Sequence, residues 1–206
     1  MTLLDRDVIA VGPKTQVRVF NRDDVDAWQN WRDYDEPLLV GTSPRRMTPA
    51  QRDQWLDDLV NRQKQIPFAV DDENGRFLGR LFLRNVKPSL GVAVLGIDLD
   101  PDKLGQGYGT EALGLFLHHF FGPMGFTQML LSVAGFNERA RRSYDSLGFR
   151  VIGSHWDHQS GPDITTDSRF REFMHLFRRG SLGLETLFYD MALDKAVWEQ
   201  TAHIFP

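Results

Sequence analysis

The 206-residue chain contains no cysteine, which excludes disulfide bonds, thiolate nucleophiles and zinc–thiolate sites. It has no apolar run long enough to span a membrane and no signal-peptide core at its N-terminus. Its 24 Lys and Arg residues are outnumbered by 28 Asp and Glu residues, and the net charge of -4 argues against a general nucleic-acid binder. These absences favour a cytoplasmic protein that binds neither membranes nor nucleic acids.

Glycine is concentrated in one short stretch, Leu104 to Thr110, at positions 105, 107 and 109. The stretch follows an apolar strand pattern at 92–99, and a helix pattern begins directly after it. Alternating glycines let backbone amides converge, and the helix dipole adds to them, so the pattern predicts a cradle for a phosphate. The spacing is not the G-x-G-x-x-G of dinucleotide sites, and it lacks the Gly-Lys-Ser/Thr ending of a P-loop. A purely structural turn is the alternative.

A second strand and helix pattern follows, with Asn137, Ala140 and Tyr144 placed before Leu147-Gly148-Phe149. Together with the glycine stretch, the pattern N-x-x-A-x-x-x-Y-x-x-x-G-F resembles the coenzyme A-binding core of the GNAT N-acetyltransferase superfamily. The likeness is clear over residues 91–153, and Leu99-Asp100-Pro101 is similar to the branch of ribosomal-protein alanine acetyltransferases (the Rim type).

The resemblance implies an α/β fold: one domain with a mixed, largely antiparallel central sheet, a splayed pair of strands, and flanking helices. It also implies acetyl-coenzyme A as the acyl donor, with its phosphates on the glycine stretch and its pantetheine beside the splayed strand. The implied cofactor-binding residues are Ile97, Leu99, Leu104, Gly105, Gln106, Gly107, Tyr108, Gly109, Thr110, Asn137 and Arg141.

Tyr144 is the predicted general acid, because a phenol can protonate the thiolate that leaves when an amine attacks a thioester. The resemblance places a tyrosine with this role at this position, and a core tyrosine that caps a backbone group is the alternative. The base is less defined, since Val94 stands where related proteins often carry a glutamate. Asp98 shares the strand face of Val94 and is the candidate base, acting through a water. The alternative is that Asp98 is only a polar residue on the rim of the open strand. An acceptor amine with a low pKa would need no carboxylate as a base.

Residues 23–36 carry six acidic residues against Arg32 alone, with aromatic residues interleaved. Such a cluster suits a cationic amine through ion pairs and cation–π contacts, although a solvated helix face is the alternative. The expected acceptor-binding residues are Trp31, Asp33, Tyr34 and Asp35.

Residues 1–14 are predicted to form an N-terminal arm, and residues 15–206 the acetyltransferase domain. An inserted amphipathic helix is expected at about 157–183, because Phe170, Phe173, Met174 and Phe177 follow helical spacing. This apolar stripe is expected to pack over the cleft, against its own sheet, or against a second subunit of a homodimer.

The predicted function is direct transfer of an acetyl group from acetyl-coenzyme A to a primary amine, without a covalent enzyme intermediate. The acceptor is either a small-molecule amine or a protein N-terminus. A non-catalytic acyl-coenzyme A-binding module is the alternative, because the usual glutamate is missing. No metal is expected, since His155-x-x-His158 and His118-His119 lack a third ligand.

Overall fold

A computed structural model of the chain describes residues 8–34, 39, 43–158, 163–165, 167–181 and 183–202. The strands within these ranges are β1 (Val8–Val11), β2 (Thr15–Val19), β3 (Ile66–Asp72), β4 (Phe77–Lys87), β5 (Val92–Leu99), β6 (Gln128–Ala134), β7 (Arg150–His158), β8 (Phe177–Gly180) and β9 (Gly183–Asp194). The α-helices are α1 (Arg22–Trp28), α2 (Pro49–Asp57), α3 (Tyr108–Phe121), α4 (Glu138–Ser146) and α5 (Lys195–Thr201).

The strands form one sheet in the order β1-β2-β3-β4-β5-β6-β9-β7, and β8 also pairs with β9. Every neighbouring pair is antiparallel except β5 and β6, which are parallel. The mixed, largely antiparallel sheet expected from the sequence is therefore confirmed.

The parallel strands β5 and β6 pair only at their beginnings, from Val92 opposite Gln128 to Val94 opposite Leu130. Beyond Val94, β5 stays paired with β4 as far as Leu99 opposite Gly79, whereas β6 pairs with β9 instead. The second half of β5 thus has one backbone edge without a neighbouring strand, and the predicted splay is confirmed.

The main core lies between the sheet and α3, on the face that also carries α4 and α5. Helix α3 buries Phe116 and Phe120 completely, and the Phe120 ring stacks on Phe126 at 4.6 Å. Burying each such side chain stabilises the fold by about 1.5–3 kcal/mol. Helix α3 begins directly after the glycine stretch and ends before Gly122. Because α3 is well packed, it anchors the glycine stretch at its N-terminal end.

Helices α1 and α2 pack on the opposite face of the sheet, where Arg18 of β2 is fully buried. Its guanidinium donates to Asp24 of α1 at 2.6 and 2.8 Å and to Asp71 of β3 at 2.7 and 2.8 Å. Removing the arginine alone would leave two buried carboxylates, a change that costs about 3–5 kcal/mol in comparable sites. This ion-pair network fixes α1 against the sheet.

The helical segment expected at about 157–183 is helical only in its middle. Strand β7 continues to His158, Ser168–Leu176 is a 3₁₀-helix and not an α-helix, and Phe177 begins strand β8. The helix stops at Leu176 because Phe177–Gly180 pairs antiparallel with the start of β9. Phe170 and Phe177 are buried within the chain itself, so they need no second subunit to cover them. The homodimer stays a prediction.

The segment expected to be an arm contributes to the sheet, because Val8–Val11 pairs with β2. Thr48 and Gln51 form a capping box at the start of α2. Helix α2 ends at Asp57, and a π-helical turn, Asp58–Arg62, follows it.

Candidate active site

A cleft of about 640 Å³ lies where β5 and β6 diverge. It is bounded by the end of β5, the glycine stretch, and the first turns of α3 and α4. The residues singled out from the sequence that line it are Tyr34, Ile97, Asp98, Leu99, Leu104, Gly105, Gly107, Gly109, Thr110, Asn137 and Tyr144.

The glycine stretch forms the cradle geometry at one end of this cleft. Gly105 and Gly107 have φ angles of +75° and +88°, a conformation that L side chains rarely adopt, and Gly107 caps α3. The first intrahelical bond runs from the Glu111 amide to the Gly107 carbonyl at 3.1 Å. The amides of the first turn that precede it have no intrahelical partner, and the helix dipole favours an anion beside them.

The second wall of the cleft is α4, which is joined to α3 by a hydrogen bond from Thr110 Oγ1 to Ser143 Oγ at 3.0 Å. Asn137 caps α4, since its side chain accepts from the Ala140 amide at 3.2 Å. Three basic side chains that the sequence analysis did not single out also line the cleft, namely Lys103, Arg139 and Arg142. This end of the cleft therefore suits a polyanionic ligand such as the phosphates of coenzyme A.

Lys14 was also missed, because it lies in the segment expected to be an arm. Its ammonium group lies 4.0 Å from the position that a Cβ on Gly107 would occupy. The carboxylate of Glu111 holds this turn against α3 by accepting from the Lys14 amide at 2.7 Å and from the Thr15 amide at 2.9 Å. Only the fold brings this cation to the start of α3.

Tyr144 of α4 lines the cleft with its side chain largely buried against Phe149. Within the described ranges its hydroxyl donates to no protein group, which speaks against the backbone-capping alternative. Burial and the nearby negative charge of Asp98 raise the pKa of Tyr144 above its usual value. The phenol therefore stays protonated at neutral pH, which is the state that a proton donor requires.

Asp98 is held by Arg80, which lies opposite it on β4. Arg80 Nε donates to Asp98 Oδ2 at 2.7 Å, and Nη2 lies 2.6 Å from the same oxygen as part of the ion pair. The guanidinium lies over the rings of Trp28, Trp55 and Phe82, with its carbon 4.8, 5.0 and 5.1 Å from the ring centroids. Sequence analysis did not find this arrangement, because its members come from four separate elements.

Tyr34 reaches the same part of the cleft from the segment after α1. Its hydroxyl donates to the Leu99 carbonyl at 2.5 Å, and its amide donates to Ser43 Oγ at 3.1 Å. Burial and the charge of Asp98 raise the pKa of Tyr34, so it remains a neutral donor. One backbone acceptor that the sequence interpretation left for pantetheine is thus already bonded to Tyr34.

The other residues expected to bind the acceptor lie elsewhere. Trp31 is buried in a stack on Phe77, with ring centroids 5.4 Å apart. Asp33 is exposed and pairs with Arg46 at 3.1 Å. Neither side chain lines the cleft, and Asp35 falls outside the described residues.

Three side chains assigned to the cofactor are also absent from the cleft lining. The guanidinium of Arg141 stacks on Tyr189 at 4.4 Å, and Gln106 donates to the Asp102 carbonyl at 2.8 Å. The ring of Tyr108 lies under the Lys103 ammonium at 5.6 Å. Arg139 and Arg142 occupy the cleft position expected for Arg141, because the helical turn directs residue 141 towards β9 instead.

No group of three or more metal-ligating side chains occurs in the part of the chain that the structure describes. The same residues include no helix with the length and apolar character needed to cross a membrane.

Residues 15–150, more than half of the chain, match the family model for the acetyltransferase (GNAT) domain. No curated protein matches the chain. Among solved structures, spermidine N-acetyltransferase from Vibrio cholerae in complex with CoA and spermine has 15% identity and a TM-score of 0.69, over 91% of this chain and 99% of that one. Mycobacterium smegmatis RimJ in complex with CoA-disulfide has 19% identity and a TM-score of 0.66, over 94% and 91%. A GCN5-related N-acetyltransferase from Brucella melitensis has 20% identity and a TM-score of 0.68, over 97% and 83%.

Proposed function

Because this chain belongs to the GNAT family of acetyltransferases, which transfer an acetyl group from acetyl-coenzyme A to an amine, we propose that Tyr144 and Asp98 carry out that transfer where β5 and β6 diverge. The glycine stretch and its surrounding cations bind the phosphates of the donor, and the free edge of β5 receives its pantetheine arm. This assignment is supported by the positive φ angle of Gly107, the ammonium of Lys14 beside it, and the basic side chains in the lining.

In the proposed reaction the amine nitrogen attacks the carbonyl carbon of the thioester, and the carbon–sulfur bond breaks. The Tyr144 phenol gives its proton to the departing sulfur, and the nitrogen loses a proton to water held near Asp98. Solvent then returns a proton to the tyrosine, so the protein ends unchanged. The single observation that carries the proposal is a protonated, cleft-lining Tyr144 whose hydroxyl has no other described partner. A binding module would have no need of this arrangement.

We take a small-molecule amine as the acceptor, a choice supported by the fold shared with the Vibrio cholerae spermidine N-acetyltransferase. A protein N-terminus is the second candidate, because the sequence resembles the ribosomal-protein alanine acetyltransferases.

The test is to incubate the protein with acetyl-coenzyme A and a panel of amines, and to measure the release of free thiol. The panel contains spermidine, an aminoglycoside and a short peptide with a free N-terminal alanine. We expect turnover on at least one small amine above the rate of hydrolysis. Tight binding of coenzyme A in calorimetry, with no turnover on any amine, would contradict catalysis and favour the binding module.

A further inference from the structure

We infer that Arg80 is a positioning residue for acetyl transfer: it fixes the carboxylate of Asp98 so that Oδ1 is left for the acceptor amine. The inference rests on the proposed function, because it assigns a role to the Asp98 of that site. It adds β4 and the two tryptophans of α1 and α2 to the machinery of the cleft.

The first argument is the way in which the ion pair is made. Nε donates to Oδ2 and Nη2 lies 2.6 Å from that same oxygen, so the ion pair engages one oxygen of the carboxylate and not both. Asp98 Oδ1 accepts from no other described residue, and Asp98 lines the cleft. Its side chain is 23% exposed while that of Arg80 is 11% exposed, so the carboxylate is the more open partner. One oxygen is held, and the other remains available to a ligand.

The second argument is that the guanidinium itself has little freedom. Three aromatic rings surround it within 5.1 Å of their centroids, and the rings of Trp28 and Trp55 contact each other at 5.2 Å. Phe82 lies across β5 above Gly96, where a Cβ would come within 2.1 Å of the ring. Gly96 is therefore required for this ring position. A planar cation enclosed by rings and bonded at one edge gives Asp98 a fixed orientation.

The third argument is chemical. An amine acceptor arrives largely as an ammonium ion, and it must be oriented and must lose a proton before its lone pair can attack. An ionised carboxylate with one free oxygen can accept a hydrogen bond from that nitrogen and direct it towards the thioester. The groups that face Asp98 from the packed elements are Arg80 of β4, Tyr34 after α1 and Tyr144 of α4, with Arg139 and Asp100 close to Tyr34. Arg80 is the cation that faces Asp98 at ion-pair distance, whereas the two phenols have raised pKa values and are neutral.

The test is Arg80→Met, which keeps an apolar stem between the rings and removes both donors. We expect kcat/KM for the amine to fall by about 10-fold or more, within the range found for positioned groups, while KM for acetyl-coenzyme A is unchanged. A general loss of structure would change both constants, so this split separates positioning of the carboxylate from damage to the fold. Arg80→Lys restores the charge but not the planar edge of the guanidinium, and should recover kcat/KM for the amine only in part.

The matched control is Arg62→Gln, which removes an arginine paired with Asp58 on the surface, where the Arg62 side chain is 72% exposed. This variant should leave kcat/KM for the amine unchanged. In an Asp98→Asn background, Arg80→Met should cause little further loss, since its effect acts through the carboxylate. An equal loss in both backgrounds, or an unchanged kcat/KM for the amine in the wild-type background, would overturn the inference. If Arg80→Met proves unfolded by circular dichroism, the Arg80→Lys and Asp98→Asn pair supplies the same cycle.

Discussion

The end of the cleft proposed to bind the phosphates of the donor (the phosphate end) and its Asp98 end obtain their functional groups in different ways. The phosphate end is built largely from one stretch of chain, residues 104–144, and much of it is backbone amide and glycine. The Asp98 end is built from side chains of α1, α2, β4 and β5 that meet only in the folded protein. The spacing of residues along the sequence therefore predicts much of the phosphate end and almost nothing of the Asp98 end.

The acidic segment at 23–36 illustrates the difference. From the sequence it offers a surplus of carboxylates for a cationic acceptor, because it contains a single arginine. In the fold, arginines from other positions pair with these acids: Arg18 with Asp24, Arg52 with Asp26, and Arg46 with Asp33. The net charge counted within residues 23–36 overestimates the negative electrostatic potential at that segment, because the counter-charges come from elsewhere in the chain.

The largest expected effect is at the phosphate end, for Gly107→Val. A β-branched residue resists the φ angle of +88°, and its side chain would displace a phosphate from the amides of α3. The loss of two charge-assisted hydrogen bonds, at about 1.5–3 kcal/mol each, corresponds to at least a 100-fold weaker affinity for coenzyme A. Isothermal titration calorimetry measures this directly.

The control for that variant is Gly125→Val. Gly125 also has a positive φ angle, +73°, with open space around its Cα, and it lies beyond the other end of α3. This variant should lose stability through the same backbone strain and keep its affinity for coenzyme A. If a folded Gly107→Val protein binds coenzyme A normally, the cradle is not the phosphate site.

Tyr144→Phe, at the point where the two ends of the cleft meet, is expected to have a smaller effect, and one that is confined to kcat. Loss of the proton donor should lower kcat by roughly 10²-fold, at the lower end of the range for general acids, with little change in affinity for acetyl-coenzyme A. Because burial and Asp98 raise the pKa of Tyr144 above about 10, the phenol does not titrate below that pH. The rate profiles of the wild type and the variant should therefore run parallel from pH 7 to about 9.5.

Tyr189→Phe is the matched control, because Tyr189 lies under Arg141 and does not line the cleft. It should leave kcat unchanged. An undiminished rate in a folded Tyr144→Phe protein would mean that the leaving sulfur takes its proton from another group.

The smallest effect is expected for Lys14→Gln, at the part of the phosphate end that comes from outside residues 104–144. An exposed ion pair contributes about 0.2–1 kcal/mol, so affinity for coenzyme A should fall by roughly 1.4- to 5-fold at low salt. The difference should shrink at 1 M salt, where the screening length is only about 3 Å. Lys87→Gln, an exposed change at the end of β4, should have no such effect. If both variants lose the same affinity for coenzyme A, Lys14 acts only through the net charge of the protein and not as a local contact.

Much of the fold was accessible from the sequence because it depends on local periodicity. The glycine stretch and the helix that begins directly after it were predicted from their spacing and are confirmed. The splayed strands were expected from the family resemblance and are also confirmed. The departure at 157–183, which is helical only over Ser168–Leu176, has a different origin. Phe170 and Phe177 have helical spacing, yet Phe177 begins a strand that pairs with the start of β9, and its ring stacks at 5.8 Å on Phe136, a residue distant in sequence.

The sequence by itself determined the family resemblance, the phosphate cradle and the position of Tyr144, since glycine conformation and helix spacing act over a few neighbouring residues. Only the tertiary structure decided that Arg80 holds Asp98, that Lys14 lies beside Gly107, and that Asp33 pairs with Arg46 and does not line the cleft. Each of these depends on side chains that are distant in sequence and are brought together by burial of the two faces of the sheet. Electrostatic partners are set by distance in space, and no local pattern records that distance.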